Sequence, residues 1–532
     1  MGLLNPRNLT IGARFVAALP GYLRHPIDPG EVRTIIRDRL QARGEALLAL
    51  VRAALAGPGN PIGVLLRNAG CGVHDVARLV GEEGVEKALH RLLHAGVYLT
   101  VDEFKGRRSA VRGSTVVEVN PERLHNPRSA DHVPASSSGS RSAGTPVLLD
   151  LAFIRGCAVD ACAGLDARGG LAWRKATWEV PGAGARFRLI KYAAFGDPPE
   201  RWFSQLDPRL SGQHPVIRLS MRATRLGSVL AGVPLPRPIH APLTDPLPVA
   251  RWQAETLRSG SIPHVFTFPS SAVAVCEAAT RAGIELGGAR FTIGGEPITA
   301  ARVASVRRVG ADAMPRYGTI ECGPIGYGCL SGEHPDELHV LADLNAVIQA
   351  EEDGPVCGLP PDALLVTSLH PNAPFTLLNV SMGDCGALTS RQCGCPLESL
   401  GWRDHIHDVR SFEKMTGTGM TFMRADIVRI IEEVLPAHCG GGPTDFQLVE
   451  DEDETGRAVL RLLVDPEIGP IDEQAAVRVL LEALGAGSPA DRVMAAMLAE
   501  AGVLTVERRR PLPTSSGKQL HLALATRSRQ LE

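Results

Sequence analysis

HVFTFP at residues 264–269 is a run of apolar and aromatic residues, SSAVAVCEAATRAG at 270–283 follows it with helical spacing, and ARFTIGG at 289–295 returns to an apolar run that ends on paired glycines. Strand, helix and strand in immediate succession are the unit of a parallel sheet, because two strands pointing the same way need a crossover between them. The alternation spreads outward from this stretch. It begins near PVLLDLAFI at 146–154 and runs to about residue 310, so the centre of the chain is expected to be a mainly parallel sheet covered by helices.

Upstream, GEVRTIIRDRLQARGEALLALVRAAL (30–55) and VHDVARLVGEEGVEKALHRLLHAGV (73–97) repeat apolar residues at three- and four-residue spacing, which predicts helices. STVVEVN (114–120) is β-like. Downstream, LHVLADLNAVIQA (338–350), ALLVTSL (363–369) and FTLLNVSMGD (375–384) are short runs between turn signals, which predicts a small antiparallel sheet or barrel. After a compositional break at 403–420 come an amphipathic helix (423–436), two strands around an acidic turn (445–465) and helices over 470–484 and 489–502. The expected class is α/β. Residues 1–130 form a helical N-terminal region of a large domain, 131–408 its core of mainly parallel sheet with a small barrel region, and 409–532 a small mobile α+β C-terminal domain.

A chain of 532 residues exceeds one compact core, in keeping with that division. Its 56 basic and 58 acidic residues leave a net charge of -2 and only 4% of it is aromatic, so it lacks both the field and the stacking surface of a nucleic-acid binder. The opening MGLLNPRNLTIGARF has no basic segment leading into an apolar core, and no window reaches ~18 apolar residues. A cytoplasmic protein with a small-molecule partner and no membrane association is the expectation, with oligomeric state open. Eleven cysteines without a leader suit reduced thiols or metal ligands, and six of them, Cys322, Cys329, Cys357, Cys385, Cys393 and Cys395, fall in one stretch.

Four segments carry residues suited to chemistry. Ser136-Ser137-Ser138-Gly139-Ser140-Arg141-Ser142-Ala143-Gly144-Thr145-Pro146 combines small residues, which let backbone N–H groups approach phosphate oxygens, with hydroxyl and Arg donors. A flexible linker has the same composition, and the Gly-Lys-Ser/Thr of a Walker loop is missing. Arg316-Tyr317-Gly318-Thr319-Ile320-Glu321 offers an aromatic face for a purine, a hydroxyl for a phosphate and a carboxylate for Mg²⁺. Ahead of it, Gly294-Gly295-Glu296-Pro297 is a turn at a strand end, where open α/β sheets bind ligands, though it also reads as a plain turn. Asp384, after Gly383 on an apolar strand, can accept hydrogen bonds from a ribose diol, while a turn Asp is the commoner case. Pro513-Thr514-Ser515-Ser516-Gly517-Lys518 puts an ammonium on a short turn, as solvated surface or as a counter-charge for a developing anion.

In that order and spacing the segments resemble the adenylate-forming superfamily, which includes acyl-CoA synthetases, peptide-synthetase adenylation domains and firefly luciferase. The resemblance covers roughly residues 130–532 and is nearest to phenylacetate-CoA ligases and luminescence-type acyl-protein synthetases. It implies that ATP and Mg²⁺ activate a carboxylic acid as an acyl-adenylate. The acyl group then passes to a nucleophile, first of all the thiol of CoA, with a carrier-protein thiol, a protein cysteine or an amine as alternatives. By the same resemblance the 136–145 loop would hold pyrophosphate, Gly295, Glu296, Tyr317 and Gly318 the nucleotide, Thr319 and Glu321 the reacting phosphate and Mg²⁺, and Asp384 the ribose. Lys518 would contact the forming acyl phosphate. Arg410-Ser411-Phe412-Glu413 falls where those proteins carry Gly-Arg-x-Asp-Asp, so Arg410 would contact the nucleotide and Glu413 would stand at the hinge. Glu413 in place of Asp, and Val147 in place of a frequent Lys, are departures. A non-catalytic nucleotide-binding scaffold is the reading from another class.

Cys393-Gly394-Cys395 brings two thiols within reach of one ion, and Cys329 lies ten residues before His339. Three or four Cys/His donors from two segments suit zinc, with buried free cysteine as the plain alternative. Some phenylacetate-CoA ligases resemble this pattern and hold a structural zinc. The expected set is Cys329, Cys393 and Cys395 with His339, or else Cys322, as fourth ligand. Its role would be structural, because protein donors fill every position.

Overall fold

The computed structural model describes residues 6–130, 133–136, 146–207, 215–350, 356–412, 416–417, 420–421, 427–452, 458–486, 492, 495–496, 498–499, 502, 504–514 and 516–524. The central stretch folds as the strand Pro263–Thr267, the helix Pro269–Arg281 and the strand Arg290–Gly294, and the two strands pair in parallel with His264 opposite Arg290. Pro269 opens the helix at the position where a missing N–H costs nothing. Every residue of Pro263–Thr267 is buried, as a central parallel strand requires.

Six strands run parallel in the spatial order Pro238–His240, Arg201–Ser204, Arg174–Glu179, Pro263–Thr267, Arg290–Gly294 and Asp312–Thr319. From there the sheet turns antiparallel through Gly323–Gly328, Leu338–Val340, Asp404–Ser411, Val380–Ser390, Ala363–Ser368 and Asn345–Gln349. The region expected to be a separate small sheet or barrel is therefore one edge of a twelve-stranded sheet. The physical reason is Gly323–Gly328, which turns back on Asp312–Thr319 and bonds on its other side to Leu338–Val340.

The N-terminal helices include Val32–Gln41, Arg43–Ala56, Pro61–Asn68, Val73–Glu83 and Val85–His94. Asn60 caps one of them, its side chain accepting from Ile62 N at 3.0 Å with Pro61 as the first helical residue. STVVEVN supplies half of a small hairpin, Ala110–Arg112 with Thr115–Val117. Ile36, Leu47, Val51 and Leu89 of the helices share one core with Ile325, Val347, Leu365 and Ile406 of the sheet, so this region folds onto the sheet. Among the described residues no single helix is long and apolar enough to cross a membrane.

The C-terminal unit has its own core, with Ile431, Leu448, Leu462 and Leu480 fully buried. Phe446–Glu452 and Ala458–Val464 pair antiparallel, with Leu522–Leu524 and Leu504–Arg508 added in parallel at the edges. Helix Glu473–Gly485, capped by Asp472 on Ala475 N at 2.9 Å, packs on this sheet. The helix expected over 423–436 begins at Ile427 and contains a π turn at Ile430–Val434. The one expected over 489–502 lies largely outside the described residues.

Candidate active site at the domain junction

The strand Arg290–Gly294 ends on Gly295, whose φ of +88° is a left-handed conformation that glycine adopts without strain. A Cβ there would lie 3.1 Å from the Phe268 ring and 3.4 Å from the Lys518 side chain, so glycine is what lets the two come together. The Lys518 ammonium stands 5.8 Å from the Phe268 ring centroid. Its turn is closed by Thr514 N–H to Lys518 O at 2.7 Å and Gly517 N–H to Thr514 O at 2.8 Å. Gly517, at φ +80°, sits where any side chain would collide with Gln205, which belongs to the large domain. Lys518 is thus seated at the carboxyl ends of the parallel strands, the place where such sheets bind ligands.

The junction beside Lys518 is a closed set of buried charges. Glu296 accepts from Ser270 N at 3.0 Å, Ser270 Oγ at 2.9 Å, Arg302 Nη1 at 2.7 Å and, from the small domain, Gln519 N at 2.6 Å. Arg302 then pairs through Nε with Glu432 of the small domain at 2.7 Å, and Glu432 meets His521 at 2.5 Å and Thr299 Oγ1. Burial pushes the Glu432 carboxyl up, but Arg302 and His521 outweigh it and hold it below the ordinary carboxylate range. Glu432 lies in the π turn, a distortion that recurs at functional sites. Glu296 was expected on the nucleotide. Its oxygens are instead taken by protein donors, because it anchors the residue next to Lys518.

Tyr317 and Asp384 meet across the sheet, the phenol donating to Asp384 Oδ2 at 2.8 Å. Burial, and then the Asp384 charge, push the Tyr317 phenol well above its ordinary value. A bulge between Tyr317 and Gly318 turns the strand toward Thr319, whose hydroxyl is 3.2 Å from Cys322 Sγ. Glu321 follows, buried, with no basic side chain among the described residues in ion-pair reach. Arg410 does not join this group. It is the cross-strand neighbour of Cys385 while Asp384 faces Ser411, so it lies on the other face of the strand, where Asp336 pairs with it at 3.3 Å. Ser136 ends a strand paired with Pro146. Ser137, Ser138, Gly139, Ser140, Gly144, Thr145 and Glu413 lie outside the described residues.

At the antiparallel end of the sheet, one donor atom from each of Cys329, His339, Cys393 and His405 lies within 4.8 Å of the others. Cys395 Sγ is 3.1 Å from His339 Nε2, and Cys393 Sγ 3.6 Å. His339 Nδ1 is held by Trp402 O at 2.8 Å, which turns Nε2 toward the thiols. Burial, and then His405, push the His339 imidazole down to about 4, keeping it neutral as a ligand must be. Both ring nitrogens of His405 are buried without a hydrogen-bond partner, an arrangement that an ion would satisfy. Three of the four expected donors, Cys329, His339 and Cys393, are therefore grouped with His405, while Cys395 lies against His339. Cys322 is elsewhere, against Thr319.

The junction residues Arg302, Glu432, His521 and Gln205 carried no motif, since their roles come from contacts across two domains. His405 was legible only as one histidine among several after the Cys-x-Cys pair.

No family model matches the chain. No curated protein matches it either. Solved structures do. 2-Hydroxyisobutyryl-CoA ligase in the postadenylation state with R3-HIB-AMP is similar at 14% identity and a TM-score of 0.54, over 92% of this chain and 90% of that one. The same ligase with 2-HIB-AMP is similar at 13% and 0.54, over 94% and 91%. Over nearly its whole length, then, the protein has the fold of an acyl-CoA ligase crystallised with an acyl-adenylate, a large domain followed by a small C-terminal one.

Proposed function

We propose that the protein is an ATP-dependent, AMP-forming acid ligase. The observation that carries the reading is Lys518, held from a separate domain against Gly295 at the carboxyl ends of the parallel strands. A substrate carboxylate oxygen attacks the α-phosphorus of ATP, the bond to the bridging oxygen breaks, and acyl-AMP and pyrophosphate result. Lys518 stabilises the negative charge that gathers on the reacting oxygens, and the domain junction keeps its ammonium in place. The buried Glu321 carboxylate is suited to Mg²⁺, which neutralises phosphate charge when bound. Tyr317 and Asp384 present a ring and an acceptor for the nucleoside. In the second step a thiol attacks the acyl carbon, loses its proton and expels AMP. CoA is the acceptor we favour, in keeping with the ligase whose fold is shared, and the phenylacetate-CoA ligase type is the subtype we favour. Zinc at Cys329, His339 and Cys393, completed by Cys395 or His405, would be structural.

Acid-dependent exchange of pyrophosphate into ATP tests the first step. Lys518→Ala should slow it by roughly 10²–10³-fold while ATP binding measured by calorimetry is retained. Equal exchange in both proteins would remove Lys518 from the chemistry. ATP binding without exchange for any acid would indicate a non-catalytic nucleotide binder.

A further inference from the structure

Below Phe268, on the same side of the sheet, lies a small cavity lined by Arg168, Tyr192, Phe266, Thr292, Arg316 and Tyr327. It encloses about 20 Å³, room for about one water-sized group. Phe266 precedes Phe268 by two residues, so the two rings point to one face about 7 Å apart along the strand. Lys518 stands over the Phe268 ring, and two guanidinium groups stand over the Phe266 ring, Arg188 at 3.7 Å and Arg316 at 5.8 Å. Lys191, fully buried, reaches Tyr327 Oη at 3.3 Å.

The charges around this cavity do not balance. Arg188 is paired with Glu179, Nε to Oε1 at 2.7 Å, and Arg168 lies 3.9 Å from Asp312. Among the described residues no carboxylate is within ion-pair distance of Arg316 or Lys191. Arg316 Nε is buried without a hydrogen-bond partner. The nearest buried carboxyl, Asp160, is turned to Arg39 at 3.8 Å. Arg316 is half-buried, and burial, followed by the charges of Arg316 and Arg188, pushes the Lys191 ammonium well below its ordinary value. A guanidinium and an amine that face each other without a carboxylate are completed by an anion that arrives from outside, which would also favour the protonated form of Lys191.

We infer that the acid this enzyme activates carries a second anionic group, and that Arg316 and Lys191 receive it while the reacting carboxylate lies under Lys518. The inference rests on the ligase reading above and names its substrate class: α,ω-dicarboxylic acids or acids of equivalent charge. Arg316 pairs with Gly294 in the sheet, one residue before the Gly295 that Lys518 approaches, and its side chain takes the face opposite that of Tyr317.

Pyrophosphate exchange with a chain-length series of dicarboxylic acids and the matching monocarboxylic acids and monomethyl esters tests this. A dicarboxylic acid should be preferred on the order of 10²-fold in kcat/KM. Arg316→Met should abolish that preference by raising KM for the diacid, Arg316→Lys should restore part of it, and KM for ATP should not move. Melting curves for each variant separate loss of fold from loss of recognition, and Lys191→Met gives a second, independent variant. Monocarboxylic acids used as well as diacids would overturn the inference and leave the ligase reading standing, as would a variant that changed only KM for ATP. If no acid supports exchange, both fall.

Discussion

Two groups of basic and acidic side chains lie near Phe266 and Phe268, and they are built in opposite ways. At the domain junction Glu296, Arg302, Glu432 and His521 meet one another, and each charge has a partner of opposite sign or a hydrogen-bond donor. Beside Phe266 the half-buried guanidinium of Arg316 and the buried amine of Lys191 have no carboxylate within ion-pair distance among the described residues, and Lys191 donates only to Tyr327 Oη. A closed set can only hold two bodies in register, whereas an open one lowers its free energy when a ligand arrives. Buried charge thus separates into attachment and recognition according to whether the protein completes it.

The sharpest way to break the contrast is to open the closed set. Arg302→Met would leave Glu296 without a cation and Glu432 with His521 alone, and removal of one partner from a buried pair typically costs about 3–5 kcal/mol. That loss falls on docking, since Arg302 and Glu432 belong to different domains. Small-angle scattering should show the C-terminal domain released, and pyrophosphate exchange should fall by at least as much as in Lys518→Ala. An unchanged scattering curve would show that the network does not hold the domains together.

The Cys/His cluster is a third case, for which we propose an ion. The protein as isolated should contain one zinc per chain, and chelation or Cys393→Ser should lower its melting temperature by several degrees. Exchange activity per folded molecule should stay near normal, because the site lies at the antiparallel end of the sheet. Protein free of zinc with an unshifted melting temperature would reduce the cluster to packed thiols and imidazoles.

How far these features could be read beforehand depends on how local they are. HVFTFP and ARFTIGG announce parallel strands because burial on both faces is written into consecutive residues. The turn bearing Lys518 was visible for the same reason. Glu296 and Arg410 were assigned to the nucleotide by position in a motif, yet Gln519 and Asp336 claim them, and those partners are 223 and 74 residues away. Arg302, Glu432 and His521 had no periodic or motif signal at all. Arg316 stood inside a quoted motif, but nothing in the motif says which cations lack a counter-charge; that takes the positions of Glu179, Asp312 and Asp160 in space. The antiparallel strands were legible singly, and their joining to the parallel sheet was not, because it rests on one long-range pairing.

The smallest effect expected is a pH dependence of the junction. Glu277, on the helix Pro269–Arg281, approaches Gly442 of the small domain, where a Cβ would meet its Oε1 at 3.4 Å. Burial, followed by the charge of Asp445, pushes its carboxyl up to about 7, with Asp465 acting the same way and Arg281 and Arg308 against it. Exposed by undocking, the group returns toward its ordinary value of 4.5. The docked state therefore binds the extra proton, so docking is favoured at low pH and weakens as pH rises from about 4.5 through 7. Fluorescence energy transfer between dyes on the two domains should fall between pH 5 and 8 in the parent protein, and Glu277→Gln should flatten it. A slope that survives the substitution would assign the titration to Asp445, which burial raises as well.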